Sequence, residues 1–149
     1  MRPGLFLAGG RLNNRKEGTI LKQKIIGSYF IGYESVELSL NDGSGGGVFF
    51  VEEGSIARMK LGGDQDWDSC FASLLHETFE LVFDRIKCRF VPCNDMGKSA
   101  GSFLFVADHV AFSDVCAKSA EFIDACLPDL KREYEIWNEK KEVLNEAKE

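Results

Sequence analysis

His76 and Glu80 stand four residues apart in Leu74-Leu75-His76-Glu77-Thr78-Phe79-Glu80. On a helix that spacing stacks them on one face, about one turn apart. An imidazole nitrogen and a carboxylate oxygen so placed can grip one cation, as the histidine pair of His-Glu-x-x-His does. Glu77, next in the chain to His76, is placed to take a proton from a metal-bound water. The chain has only two histidines. The other, His109, falls where a second helix is expected to begin. With His109 as third ligand, the set has two nitrogens and one oxygen, and a position stays open for water. Asp84, a turn beyond Glu80, and Asp108, beside His109, could each orient an imidazole through its second nitrogen.

A plain amphipathic helix accounts for the same letters. At roughly 100° per residue, Phe71, Leu74, Leu75, Thr78, Phe79, Val82 and Ile86 share one arc. Ser69, Ser73, Glu77, Glu80 and Asp84 share the opposite arc, with His76 at the border. On that alternative Glu77 and Glu80 belong to a solvated acidic face.

The elements around this helix follow from the rest of the chain. Its 149 residues, 44% hydrophobic and 11% aromatic with twelve Phe, suit a single domain over residues 1–149. A net charge of −6 argues against a nucleic-acid partner or a membrane surface. No apolar run is long enough to span a membrane, and the apolar part of the first ten residues is too short for a signal peptide. A cytoplasmic protein is expected. The five cysteines are odd in number, and none are spaced as Cys-x-x-Cys. They read as small buried hydrophobes, with a zinc pair at Cys88 and Cys93 as the minor alternative.

Residues 1–19, punctuated by glycine, proline and asparagine, read as a loosely ordered basic arm. Residues 25–33 are rich in β-branched and aromatic types, and 36–40 alternate apolar and polar. The run Asn41-Asp42-Gly43-Ser44-Gly45-Gly46-Gly47 is a turn and lacks the lysine and following helix of a phosphate cradle. Residues 48–51 and 55–61 read as further strands. Asp64, Asp66 and Asp68 crowd the entry of the central helix, where acids suit the dipole. Residues 88–91 and 102–106 read as short strands, and Asp108 as the cap of the next helix. Pro128 interrupts that helix and opens a new helical turn. Residues 131–149 form a charged C-terminal helical extension, whose aromatics pack on the body or on a sister subunit. A homo-oligomer through this helix is one possible partner. The fold class expected is α+β: a small, mainly antiparallel sheet packed against a central helix and a second long C-terminal helix.

This order, with Leu74, Leu75, His76, Glu77, Glu80 and the later His109, resembles the small zincin-like, metallopeptidase-like proteins of phage and mobile elements. The resemblance covers roughly residues 25–127, and its specific part is about ten residues. Glu80 stands where the family often has a second histidine. The resemblance implies a minimal zincin-like fold, zinc held by His76, Glu80 and His109, Glu77 as general base, and a peptide or protein substrate. A zinc-dependent hydrolase is therefore expected. Two alternatives stand beside it: a non-catalytic binding or structural accessory protein of the same fold, and an α+β oligomerisation domain without metal.

Overall fold

The computed structural model describes residues 22–50, 56–90 and 104–147. The arm at 1–19, the loop around 94–101 and Cys93 fall outside the described residues. Four strands form one sheet: β1 (Gln23–Ile31), β2 (Glu34–Asn41), β3 (Gly46–Phe50) and β4 (Ile56–Gly62). Helix α1 (Trp67–Arg85) follows, then a two-stranded ribbon of β5 (Arg89–Phe90) and β6 (Leu104–Phe105), then helix α2 (His109–Glu146). The architecture is α+β, a mostly antiparallel sheet with two helices, the second long and C-terminal.

The sheet order is β1-β2-β4-β3. The β1–β2 and β3–β4 pairs are antiparallel, and β2–β4 is parallel. Strand β4 therefore slots between β2 and β3, which are neighbours in sequence. The turn joining those two crosses the end of β4. Gly62 N–H donates to the Gly45 carbonyl (2.8 Å), Gly63 N–H to that of Asn41 (2.7 Å), and Asp64 N–H to that of Gly43 (2.8 Å). A methyl on Gly62 would lie 2.5 Å from the Gly43 oxygen, so only glycine lets the strand pass beneath the turn. Gly43 and Gly45 have φ of 95° and 83°, the left-handed region the turn needs.

Alternation along the central strands turns Val36, Leu38 and Leu40 of β2, and Ala57, Met59 and Leu61 of β4, to one face, all fully buried. Both helices cover that face. Helix α1 contributes Cys70, Leu74, Leu81 and Val82, and α2 contributes Val115, Phe122, Cys126 and Leu130. On the other face Arg58 pairs with Glu37 (3.3 Å).

Helix α2 runs unbroken through Pro128, which corrects the expectation of an interruption there. A proline ring removes one backbone donor and crowds the preceding turn. Here buried Cys126 and Leu130 flank the proline and hold the chain helical. The charged extension is not a free projection either. Trp137 is buried against Gly63, and the Tyr134 hydroxyl donates to the Gln65 carbonyl (2.5 Å). Its aromatics thus pack on the body. Among the described residues no helix is long and apolar enough to cross a membrane.

Candidate functional site

Helix α1 is set at both ends by local chemistry. Asp66 is its N-cap, accepting from Ser69 N–H (2.7 Å), and that bond holds the Asp66 carboxyl below its ordinary range. Asp68 in the first turn and Arg85 in the last suit the helix dipole. Arg85 also bridges to Glu34 at the start of β2, which ties the far end of the helix to the sheet.

Between these ends His76, Glu77 and Glu80 come together. The His76 Nε2 lies 3.7 Å from Glu80 Oε1 and 4.0 Å from Glu77 Oε1. The three differ sharply in exposure. The side chains of His76, Glu80 and Glu77 are 65%, 22% and 9% exposed. Glu77 is turned under β3, the last strand of the sheet, where its side chain reaches Gly46.

The alternative that places Glu77 on a solvated face is therefore corrected. The apolar arc read from the sequence holds for Leu74, Thr78 and Val82, but burial also reaches Cys70, Glu77 and Leu81. Helix α1 packs against α2 on one flank and against β3 and β4 on another, so more than one stripe of the helix is covered. Periodicity reports the apolar stripe and is silent about a carboxylate under a second flank.

His109 is the first residue of α2, exposed, with Asp108 as the cap accepting from Ala111 N–H (2.8 Å). The helices run antiparallel. Val106 N–H donates to the Cys88 carbonyl, joining the end of α1 to the approach of α2. At the other end of α1, Tyr134 packs on Trp67 with ring centroids 5.3 Å apart. At 1.5 Å per residue, His109 then lies on the order of 20 Å from His76 along the helix axes. Among the described residues no group of three His, Cys, Asp or Glu side chains could hold a metal ion. The structure thus brings His76, Glu77 and Glu80 together and leaves His109 apart. His76 and Glu80 have the donor chemistry zinc takes, but they are two donors where a zinc site needs three from protein.

Asp84 and Asp108, weighed as imidazole-orienting groups, have other partners. Asp84 pairs with Arg85 (3.2 Å), and Asp108 caps α2. Burial pushes the Cys70 thiol up to about 11 and the Cys126 thiol up to about 12, so neither is poised as a thiolate nucleophile. Cys70, Cys88, Cys116 and Cys126 are free thiols. Gly46 escaped the sequence reading because its glycine run reads first as a turn. The extra signal was available: Gly46 and Gly47 precede a β-rich run, and glycine inside a strand marks close approach. No protein-family model, no curated protein and no solved structure matches the chain.

Proposed function

We propose that the protein is a hydrolase of the metallopeptidase kind that acts on peptides or proteins in the cytoplasm, with Glu77 as its proton acceptor. One observation carries this reading. A carboxylate is withdrawn from water one residue from an exposed imidazole and beside a second carboxylate, under the last strand of a sheet. A buried charge is costly and collects where chemistry needs it. The resemblance to small zincin-like proteins rests on the same residues and points the same way. A sheet's last strand also suits an extended peptide, which can add to it through backbone hydrogen bonds.

In this reading water attacks the scissile carbonyl carbon. Glu77 takes the water's proton and delivers it to the leaving nitrogen as the C–N bond breaks. His76 and Glu80 flank Glu77 and would be two of the donors for a zinc ion. The chemistry a bound zinc supplies is polarisation of the carbonyl.

The test is metal analysis of tag-free protein beside a peptide-cleavage assay. One equivalent of zinc is expected in the wild type and in His109→Ala, and loss of it in His76→Ala. Glu77→Gln should lower cleavage by at least about 100-fold while keeping the zinc. A second reading, a non-catalytic binding protein of the same fold, is favoured by the count of only two donors among the described residues. Absent zinc together with cleavage indifferent to Glu77→Gln would decide for it.

A further inference from the structure

We propose that Gly46 is a positioning residue for Glu77: the bare backbone of β3 at this point is what lets the carboxylate lie turned in beneath the strand. The proposal rests on the reading of Glu77 as the working carboxylate. A Cβ built on Gly46 would stand 3.0 Å from Glu77 Cγ, 3.2 Å from Glu77 Oε1 and 3.4 Å from Leu61 Cδ2. Both Glu77 separations are tighter than ordinary contacts, so a methyl there makes the Glu77 side chain give by a few tenths of an ångström. Leu61 is fully buried in the core and has little room to give. Gly46 is fixed from the far side by its pairing with Leu61 of β4, so the strand cannot simply swing away. Of these two neighbours Glu77 is the longer side chain, and its charged end does not belong to the apolar core.

No backbone strain accounts for this glycine. Gly43 and Gly45 carry positive φ, while Gly46 does not and sits in regular antiparallel pairing. What singles it out is the space its missing side chain leaves, and Glu77 fills that space.

Carboxyl footprinting with a carbodiimide and an amine, read by mass spectrometry, tests the arrangement without any assay of activity. In the wild type Glu77 should be amidated more slowly than Glu80, the side chains being 9% and 22% exposed. In Gly46→Ala the Glu77 rate should rise several-fold towards that of Glu80, whose own rate should stay the same. Folded Gly46→Ala that protects Glu77 as the wild type does would overturn the proposal. A second variant guards against a loss of folding. Glu77→Asp shortens the side chain by one carbon, so Gly46→Ala combined with Glu77→Asp should recover most of the melting temperature that Gly46→Ala loses. Strictly additive losses would also overturn it. If footprinting and rescue succeed while Glu77→Gln leaves peptide cleavage untouched, the placement stands and the hydrolase reading falls.

Discussion

Lys87 ends helix α1 in the left-handed region, with φ of 63°. The Lys87 N–H donates to the Asp84 carbonyl and the Cys88 N–H to that of Phe83, so the last carbonyls of the helix are satisfied by a tight reversal. Glycine is the usual occupant of that position, because a Cβ there crowds the following carbonyl. Lys87→Gly should stabilise the protein by about 1 kcal/mol, read as a higher urea midpoint with an unchanged slope. The same comparison marks what residue patterns convey. Asp108 was legible as a cap, and Asp66 as one of three acids at a helix entry, because a short acid before an apolar helix has a local job. Nothing in a lysine announces a positive φ, so the reversal at Lys87 is not readable from its residue type. His76 and Glu80 were legible as neighbours because helical spacing is local. The place of His109 was not, because it depends on the direction and length of a whole second helix.

Strands β2 and β3 with β4 between them form the least local part of the fold. The strands themselves were readable from alternation, as at Leu38, Leu40, Met59 and Leu61. Their order was not, because alternation fixes which face a residue takes and says nothing about which strand lies beside it. The chain passes from β2 to its parallel neighbour β4 by way of β3, where parallel neighbours usually need a helical crossover. Gly62 is the crossing point, and the turn's Gly43 and Ser44 backbone lies 2.5 Å from where its Cβ would be. Gly62→Ala should therefore cost about 3 kcal/mol or more, since backbone rather than a pliant side chain must move. Denaturant unfolding would check this, with Gly32→Ala as a comparison whose Cβ meets open space and whose cost comes from its φ of 60° alone.

On the scale of the whole molecule, Asp64 and Asp129 are among the groups that fasten α2 to the rest. Asp64, after β4, accepts from Gly43 N–H (2.9 Å) and pairs with Lys141 (2.8 Å). Asp129, on α2, accepts from the Tyr29 hydroxyl of β1 (2.8 Å) and pairs with Arg132 (2.8 Å). The Lys141 bond first, then the Gly43 N–H, hold the Asp64 carboxyl below its ordinary 3.8, and the Tyr29 bond does the same for Asp129. A carboxyl whose folded value is depressed adds stability above its unfolded value and loses it as pH falls through the folded one. Stability against urea should thus hold from pH 7 to about 5 and decline below about 4, with a shallower decline in Asp64→Asn. Both carboxylates touch water, so the decline is expected to be modest and weaker at high salt. The crossing at Gly62 has a further bearing, on how the molecule comes to exist. Strands β2 and β3 leave a gap one strand wide and cannot zip together as a hairpin. A chain leaving the ribosome therefore cannot close its sheet until the later strand has emerged to thread that gap. Folding should be governed by this late insertion, slow for so small a protein and open to mispairing of early strands meanwhile.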